Sequence, residues 1–545
     1  MSVQRADFTP PIGPHAEPGT GPVRERRPVY VDLLPPCNHA CPAGENIQAW
    51  LAEARAGRYR QAWLRLIEDN PLPAVHGRVC YHPCESDCNR VRIDSAVSIH
   101  ALERFVADAA AREGWSVPIA VPPSGKRVLV VGAGPSGLAA AYHLVRLGHA
   151  VEIHDAGPRP GGMLHFGIPA YRLPRDVLMQ EIRRIESLGV RVVSDHRVVD
   201  LLAEQTAGRF DAVFLAIGAG LAKHVDIPAR DAARVLDAVS LLHGMDAGER
   251  PRLGRRVVVY GGGNTAMDAA RTAKRLGAED ALIIYRRDRA HMPARAFEAD
   301  EAVEEGVEIK WLSTIREMSG SQIMIERMEL DSEGRPRPTG RLETLEADAV
   351  VLALGQRSDS AFLRGIAGIE LAQDGAIEVA PDMMTGHPGI FAGGDAVEGD
   401  RTVTASVGQG KRAARHIDAY LRGGAYRARP KHPIAAFEEL HLPLYSDARS
   451  SEPTTLAAAE RTRGFAEVVQ GLTEPQALYE AQRCLSCGNC FECDQCYAAC
   501  PEQAIDKLGP GRRYRVLYER CTGCAVCFES CPCHAIEMIA EPAGA

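Results

Sequence analysis

The sequence predicts a multidomain α/β protein, and three features support that fold class. The chain has 545 residues, enough for three or four domains of about 150 residues each. Residues 126–155 and 255–287 each have the pattern of a buried strand, a glycine-rich turn, a helix and a second strand. Sixteen cysteines lie only near the two ends, five within residues 37–88 and eleven within 484–533.

Composition and charge exclude several classes of protein. Lys and Arg number 63 against 71 Asp and Glu, a net charge of -8, and the 46% hydrophobic content is ordinary for soluble proteins. A polybasic nucleic-acid-binding protein is therefore not expected. No run approaches 18 consecutive apolar residues, and no apolar segment follows the charges of the first 30 residues. We expect neither a membrane span nor a secretory signal, and hence a cytoplasmic protein.

The first α/β unit carries a dinucleotide-binding fingerprint of the Rossmann type. Gly132 permits the tight turn after the strand, Gly134 lets a pyrophosphate approach the backbone, and Gly137 lets helix and strand pack closely. Asp155 ends the second strand, where a carboxylate can accept hydrogen bonds from a ribose. The alternative is a merely structural turn. The candidate binding residues of this unit are Gly132, Gly134, Pro135, Ser136, Gly137 and Asp155.

Later motifs indicate which dinucleotide this unit binds. Gly162 follows in a Gly-Gly pair, and Gly394 and Asp395 lie in the run GIFAGGDAVEG. In flavoproteins with two dinucleotide sites, a late Gly-Asp places its carboxylate near the flavin ribityl chain. The first unit therefore resembles an FAD site.

The resemblance to such flavoproteins also predicts the order of the domains. The runs DAVFLAIGAG, from Asp211, and DAVVLALGQ, from Asp348, resemble the strands through which such flavoproteins leave and re-enter the FAD domain. Residues 223–352 are then expected to form a nicotinamide-binding domain. It would be inserted in an FAD-binding domain made of residues 119–222 and 353–424.

The second α/β unit favours a phosphorylated nicotinamide dinucleotide. Its second strand ends in Arg286 and Arg287 instead of an acid, and a guanidinium fork matches a 2'-phosphate in shape and charge. NADP(H) is therefore favoured over NAD(H), although use of NADH remains open and two solvated surface arginines are the alternative. The candidate residues here are Gly261, Gly263, Asn264, Thr265, Arg286 and Arg287.

Two C-x2-C-x2-C-x3-C-P runs near the end of the chain are the bacterial ferredoxin pattern. In that pattern the fourth cysteine of each run ligates the cluster of the other run, and zinc sites are the alternative. Residues 484–545 are thus expected to form a ferredoxin-like domain after an irregular linker, residues 425–483. The predicted 4Fe-4S ligand sets are Cys490, Cys493, Cys496 with Cys531, and Cys521, Cys524, Cys527 with Cys500.

At the other end, residues 31–118 have helical periodicity and are expected to form a helical domain, after a flexible arm at residues 1–30. This domain contains Cys37, Cys41, Cys80, Cys84 and Cys88. Five thiols cannot complete two four-ligand clusters. Either there is one cluster and a spare thiol, or ligands arrive from elsewhere.

Several motifs are similar to the small-subunit family of NADPH-dependent glutamate synthase, a module shared with dihydropyrimidine dehydrogenase. They include PCNHACPAGENI, GRVCYHPCESDCNR, GGMLHFGIPAYRLP and GGGNTAMDAARTAKRLGA. The match runs over residues 31–424, with a ferredoxin domain appended. Many members also carry a C-x2-C pair before the position of Cys37, which this chain lacks there.

The resemblance implies ligands for two further clusters. Glu103, in the run ALERF, matches the position at which the family supplies a non-cysteine ligand, so Cys41, Cys80, Cys84 and Glu103 would hold one cluster. Cys37 and Cys88 belong to another cluster that is two ligands short. Cys484 and Cys487, in RCLSC, look like the missing family pair moved to the tail, which would bring the total to four 4Fe-4S clusters. The alternative is that this pair is unligated and the cluster is absent; Cys533 is left as a free thiol.

The family implies an NAD(P)H-dependent electron-transfer oxidoreductase that uses FAD and iron-sulfur clusters and needs no catalytic acid, base or nucleophile. Its partner would be a ferredoxin or the catalytic subunits of a larger complex, for which a 2-oxoacid:acceptor oxidoreductase is one class. The runner-up is a glutamate synthase small subunit that supplies a large amidotransferase subunit. A pure electron carrier would leave two nucleotide fingerprints unexplained.

Overall fold

The amino-terminal segment forms a strand that pairs with the carboxyl-terminal end of the chain. Strand β1, Arg26–Tyr30, runs antiparallel to the strand Ile536–Ala540, and Arg24 forms an ion pair with Glu541, 517 positions further along. The predicted flexible arm at residues 1–30 lies mostly outside the described residues, but for Arg26–Tyr30 it is wrong. The partner strand is too distant in sequence for any local pattern to reveal it. The computed structural model describes residues 24–118, 121–223, 229–230, 234–246, 248–442 and 447–542.

A helical domain follows, built around buried tryptophans. Trp50, Leu51 and Trp63 are at most 1% exposed, because the apolar residues of two consecutive helices recur at helical spacing and face each other. Gly77 lies where two later helices meet. Helices α1 to α6 are Pro36–Ala40, Ile47–Arg55, Tyr59–Leu66, Pro73–Val79, Pro83–Ser86 and Ile99–Glu113, with a 3-10 helix at Asn89–Arg92.

The next part of the chain begins a parallel sheet. Its strands are short runs of Val, Leu and Ile buried on both faces, as a sheet covered by helices requires. In chain order the elements are β2 Arg127–Val131, α7 Pro135–Arg146, β3 Ala150–His154, α8 Met163–Phe166, α9 Arg175–Glu186, β4 Arg191–Val193, α10 Leu201–Gly208, β5 Ala212–Leu215 and β6 Leu221–Ala222.

A second sheet unit is inserted there. Five parallel strands lie in the order β11-β10-β9-β15-β8, and β12, β13 and β14 form an antiparallel meander beside them. The elements are β7 Ala229–Arg230, β8 Arg234–Asp237, α11 Ala238–Asp246, β9 Arg256–Tyr260, α12 Asn264–Arg275, β10 Asp280–Ile284, α13 Ala296–Glu304, β11 Val307–Lys310, β12 Ser313–Ser319, β13 Gln322–Leu330, β14 Pro336–Glu346 and β15 Ala349–Leu352.

The chain then returns to the first sheet. Strand β16, Gln356–Arg357, pairs antiparallel with β6, and this ribbon connects the two units. Strand β17, Ile390–Ala392, completes a parallel sheet of order β17-β5-β2-β3-β4, and helix α14, Val403–Leu421, packs on α7. The sequence predicted that the chain leaves and re-enters the first unit through the runs that begin at Asp211 and Asp348. The first of these runs contains β5, which belongs to the first sheet, and the other contains β15, which belongs to the second sheet. The chain crosses between the two units through the two-stranded ribbon of β6 and β16. One Rossmann-type unit is therefore inserted in the other, as the fold class predicts.

The tail folds back on the helical domain before it forms its own small domain. Within the predicted linker, Ala477 and Ala481 of one helix are buried in the core of the helical domain. Residues 425–483 are therefore partly a packed element. The tail elements are α15 Ala458–Arg461, α16 Glu474–Gln482, α17 Gln495–Ala499, β18 Ile505–Lys507, β19 Tyr514–Val516, α18 Val526–Glu529 and β20 Ile536–Ala540, and further 3-10 helices lie at Ala361–Leu363, Gly394–Ala396 and Phe437–Glu439.

Within the described ranges, no helix has both the length and the apolar character needed to cross a lipid bilayer.

The contact between α4 and α6 is the first testable feature. A Cβ on Gly77 would lie 2.5 Å from the Cα of Arg104, so Gly77→Ala must push apart the helices that carry Cys80 and Glu103. We expect a loss of stability of about 1–3 kcal/mol, as for other overpacked cores, seen as a lower midpoint of thermal unfolding. Gly464→Ala is the control, because a Cβ there meets nothing within 4 Å. Equal midpoints for the two variants would contradict this packing argument.

Candidate functional site

The loops at the carboxyl ends of β2, β3 and β5 border an open cleft of about 2050 Å³. This is the edge at which open parallel sheets bind nucleotides. The cleft is lined by nearly all the residues predicted for the first dinucleotide, namely Gly132, Gly134, Pro135, Ser136, Asp155, Gly162, Gly394 and Asp395. Gly137 does not line it, since a Cβ on Gly137 would lie 2.0 Å from the carbonyl oxygen of Gly132. Gly137 instead allows helix α7 to pack closely against strand β2.

The turn after β2 has the shape of a pyrophosphate cradle. Gly132 has a φ of +106°, and a Cβ on it would lie 2.4 Å from the carbonyl oxygen of Ala216, so only glycine fits. Next to Gly134 there is open space, with nothing within 4 Å of an added Cβ. The Ser136 hydroxyl is buried and has no hydrogen-bond partner among the residues that the structure describes. Bare backbone, open space and a free hydroxyl at a helix start fit an anionic group.

The two predicted carboxylates of this cleft are already engaged with the protein. Asp155 accepts hydrogen bonds from the backbone nitrogens of Ala133, at 2.6 Å, and Gly157, at 2.7 Å, so it also shapes the glycine-rich turn. Asp395 accepts a hydrogen bond from the Ser406 hydroxyl at 3.0 Å, and burial raises its pKa. Each carboxylate oxygen keeps a second lone pair for a ribose or ribityl hydroxyl.

The inserted unit has a second cleft, of about 1130 Å³, lined by Gly261, Gly263, Thr265, Arg286 and Arg287. In the described part of the chain, neither guanidinium has a carboxylate partner, and the Arg287 Nε is buried without a hydrogen-bond partner. Two unpaired guanidinium groups at the end of β10 suit a phosphate.

The predicted Asn264 does not line this second cleft. Its Nδ2 donates to the Tyr81 hydroxyl at 2.6 Å, and its Oδ1 accepts from the backbone nitrogen of Arg295 at 3.0 Å. Asn264 lines the first cleft instead, and Thr265 borders both. The start of α12 therefore separates the two clefts. Tyr81, which the sequence argument missed, connects this point to the helical domain.

One small pocket of the helical domain is lined by Cys41, Cys80, Cys84 and Glu103. The Glu103 carboxylate accepts a hydrogen bond from Asn70 Nδ2 at 2.7 Å. Burial, followed by the nearby Glu45 carboxylate, raises the pKa of Glu103, and burial raises the pKa of Cys80 to about 12. Buried acids and thiols of this kind lose their protons readily only to a metal. Asn70 carries no sequence motif that would have revealed it, and Glu45 lies in the motif PCNHACPAGENI but was not singled out.

A second small pocket brings together thiols from both ends of the chain: Cys37, Cys88, Cys484 and Cys487 line it. Burial raises the pKa of Cys484 to about 11 and that of Cys487 to about 12. The tail pair thus lies beside Cys37 and Cys88, and its role as a pair of cluster ligands stays a prediction.

In the tail domain the thiols group across the two runs. Cys500 of the first run lines a small pocket with Cys521, Cys524 and Cys527 of the second. In the other group, the charge of Cys531 raises the pKa of Cys490, Cys493 and Cys496 after burial does, so these four thiols are neighbours. The Sγ of Cys533 lies 3.8 Å from that of Cys531. The fourth cysteine of each run thus crosses to the other group.

Comparisons with known proteins agree with this division of the chain. Residues 126–410 match the pyridine nucleotide-disulphide oxidoreductase family. Residues 33–115 match the 4Fe-4S cluster domain II of dihydropyrimidine dehydrogenase, and residues 489–535 match the 4Fe-4S dicluster domain.

Similar proteins extend over most of the chain. The beta subunit of the NADP(+)-dependent formate dehydrogenase of Moorella thermoacetica is 38% identical over 497 residues, 83% of this chain and 70% of that protein. The NADPH-Fe(3+) oxidoreductase subunit beta of Geobacter sulfurreducens is 34% identical, over 83% of this chain and 74% of that protein. The small chain of the NADPH glutamate synthase of Escherichia coli is 35% identical, over 71% of this chain and 89% of that protein.

The chain belongs to the pyridine nucleotide-disulphide oxidoreductase family and is a glutamate synthase small-subunit-like member with an iron-sulfur domain at each end. It is an NAD(P)H-dependent flavin and iron-sulfur oxidoreductase, with FAD, nicotinamide dinucleotide and 4Fe-4S clusters as cofactors. The predicted family and fold class are confirmed.

The unpaired arginines give a prediction on nucleotide choice. Replacing both Arg286 and Arg287 by Ala should raise the KM for NADPH about 10- to 100-fold, because charge-assisted hydrogen bonds to the 2'-phosphate are lost. The KM for NADH should change little, as measured by steady-state diaphorase assays with each nucleotide. Arg289→Ala is the control, since Arg289 is exposed and pairs with Asp300 at 2.6 Å. An equal loss for both nucleotides would show that these arginines do not bind the phosphate.

Glu103 gives a second prediction. Glu103→Ala should remove or alter one cluster, with a loss of up to about four iron atoms per chain and a change in the electron paramagnetic resonance of the reduced protein. Glu113→Ala, on the same helix but exposed, should leave both measurements unchanged. If iron content and spectra of Glu103→Ala also match the parent protein, Glu103 is not a ligand.

Proposed function

We propose that this chain is the electron-transfer subunit of a larger oxidoreductase, which passes electrons between NAD(P)H and either a ferredoxin or a catalytic partner subunit. The observation that carries this proposal is the convergence of Cys484 and Cys487 of the tail with Cys37 and Cys88 of the helical domain. This shared set links the cysteines of the helical domain to those of the tail domain, so that the four ligand sets form one continuous series.

Each of the four cysteine sets is proposed to hold one 4Fe-4S cluster, because tightly grouped thiols at these spacings fit that group. We assign the ligands as Cys41, Cys80, Cys84 and Glu103; Cys37, Cys88, Cys484 and Cys487; Cys490, Cys493, Cys496 and Cys531; and Cys500, Cys521, Cys524 and Cys527. The nucleotides are assigned to the two clefts through the residues that line them.

Short segments of chain connect each set to the next. Cys37 and Cys41 lie at the two ends of α1, and only Gly488 and Asn489 separate Cys487 of the tail pair from Cys490 of the next set. Helix α17 lies between Asp494 and Cys500, and α18 between Ala525 and Ser530, so each holds one cysteine of one set and precedes one of the other. Neighbouring sets are therefore fixed relative to one another by a few residues of backbone.

The first set also borders the first cleft. Tyr81 follows Cys80 in the chain and lines that cleft, and the Thr404 hydroxyl lies 3.0 Å from the Cys80 Sγ. When bound, FAD exchanges a hydride with the nicotinamide or single electrons with iron-sulfur clusters. Tyr81 and Thr404 hold the wall between the cleft and the Cys80 thiol in place.

The partner is proposed from the relatives. The formate dehydrogenase and NADPH-Fe(3+) oxidoreductase proteins are both named as beta subunits, and their similarity extends over 83% of this chain. The glutamate synthase small chain matches over only 71%. A catalytic subunit that oxidises or reduces a small substrate, such as a 2-oxoacid, is therefore favoured. Supply of electrons to an amidotransferase subunit remains the second candidate, because the small chain is matched over 89% of its own length.

The tail pair gives the test. Replacing Cys484 and Cys487 by Ser should lower the iron content from about 16 to about 12 atoms per chain. Bleaching of the FAD absorbance by NADPH should be kept, whereas NADPH-dependent reduction of an added bacterial ferredoxin should fall at least about tenfold, because the series of ligand sets is interrupted.

Cys533→Ser is the matched control, since Cys533 is a buried tail thiol outside the four sets. It should keep about 16 iron atoms and normal ferredoxin reduction. A chain truncated before residue 484 should lose three clusters, about 12 iron atoms. Retention of both N-terminal clusters in that truncation would refute the shared site, and unchanged ferredoxin reduction in the double variant would refute the series.

A further inference from the structure

Two histidines and a glutamate that belong to none of the cysteine sets converge beside the first cleft. His154 is the last residue of β3, His196 follows β4, and Glu204 lies on α10. The His154 Nδ1 lies 3.0 Å from the Glu204 Oε1, and the His196 Nε2 lies 3.1 Å from the same oxygen. All three atoms lie within 4.8 Å of one another.

These separations suit a common metal ion. In tetrahedral zinc sites, ligand bonds of about 2.0–2.2 Å place the ligand atoms roughly 3.3 Å apart. Imidazole nitrogen and carboxylate oxygen are ligands that zinc takes in proteins. The exposed fraction of the His196 side chain is 40%, so solvent reaches this point and a water molecule can complete the fourth position.

The surroundings of His154 give a second argument. Its Nε2 lies 2.9 Å from the Glu152 Oε1 and donates a hydrogen bond there. Within the described residues its Nδ1 has no hydrogen-bond partner, although it lies 3.0 Å from a carboxylate oxygen of Glu204. The His154 side chain is only 6% exposed, so the charge of Glu204 is poorly screened at this point. A cation bound by Nδ1 and Glu204 would use this nitrogen and compensate that charge.

Glu152 completes a recurrent arrangement. Metal-bound histidines commonly donate their other N–H to a carboxylate, which fixes the ring and raises its basicity. Glu152 is itself held by Arg191, at 3.4 Å, and Arg127, at 3.7 Å. We propose that His154, His196 and Glu204 bind a divalent cation of the zinc class, with Glu152 as the outer partner of His154.

The site is built into the wall of the first cleft. The backbone nitrogen of Gly132 donates to the carbonyl oxygen of His154 at 2.8 Å, and that of His196 donates to the carbonyl oxygen of Asp155 at 2.8 Å. Both histidines line the cleft. The bound ion therefore cross-links the ends of β3 and β4 to α10 at the place where the glycine-rich turn is held.

A second group of two histidines and one glutamate lacks the features that indicate a metal site at His154. His82 and His100 lie 3.1 Å and 2.9 Å from Glu85, but each contacts a different carboxylate oxygen. Two ordinary ion pairs satisfy that group, and the pKa of Glu85 is lowered accordingly. The shared oxygen and the unpartnered nitrogen distinguish the site at His154.

The test uses the holoprotein, with FAD and clusters in place, dialysed anaerobically against a chelator and then equilibrated with zinc sulfate. Elemental analysis should find one zinc per chain at saturation. Glu204→Gln and His196→Ala should weaken zinc binding at least tenfold, and Glu152→Gln about 10- to 100-fold. Asp418→Asn, which breaks the 2.9 Å pair with His149, is the matched control and should bind as the parent does.

X-ray absorption at the zinc edge then identifies the ligands. Nitrogen and oxygen at about 2.0–2.1 Å are expected, whereas sulfur at about 2.3 Å would place the zinc on cysteines and overturn the proposal. It is equally overturned if the holoprotein binds no zinc, or if the three variants bind zinc as tightly as the parent. An iron content and a midpoint of thermal unfolding equal to the parent's show that a variant is folded.

Discussion

The buried guanidinium of Arg483 is the interaction on which the arrangement of the two ends depends. It donates to the carbonyl oxygens of Ser95, Ala96 and Ala448 at 2.7–2.8 Å and lies 3.1 Å from Asp94, with 2% of its side chain exposed. A buried charge is tolerated only when its hydrogen-bonding groups are satisfied in this way. Because Arg483 directly precedes Cys484, its position determines that the tail thiols enter the cavity of the helical domain.

The pockets that the cluster cysteines line are unfavourable environments for free thiols. Burial raises the pKa of Cys37, and the nearby Cys88, Cys484 and Cys487 raise it further. Crowded, buried thiols resist ionisation, and a metal cluster replaces their protons and cancels their repulsion. The cluster proposed for Cys37 would also stabilise the contact between the helical domain and the tail, where Gln48 and Ser486, 438 positions apart, form a hydrogen bond.

Buried charged groups also explain why the two nucleotide clefts meet at the start of α12. Arg172 of the first unit lies 2.8 Å from Asp268 on α12 and forms an ion pair with Glu298 on α13. The pKa of the Arg172 guanidinium is raised well above its usual value by these carboxylates. This buried network holds the inserted unit against the first, so Thr265 can border both clefts. The orientation of the units is thus set by charges rather than by an apolar interface alone.

The sequence by itself determined the local features. Gly132 and Gly261 could be assigned because a turn with positive φ between strand and helix requires glycine, and the ferredoxin cysteines because their ligand spacing is a property of a short loop. Family resemblance added Glu103, which composition and spacing did not single out. The tertiary structure decided everything that joins distant segments. It paired Arg26–Tyr30 with Ile536–Ala540, turned Asn264 toward Tyr81, and brought His154 and His196 to one glutamate. Such contacts depend on how separate elements pack, and no pattern within one element of the sequence encodes them.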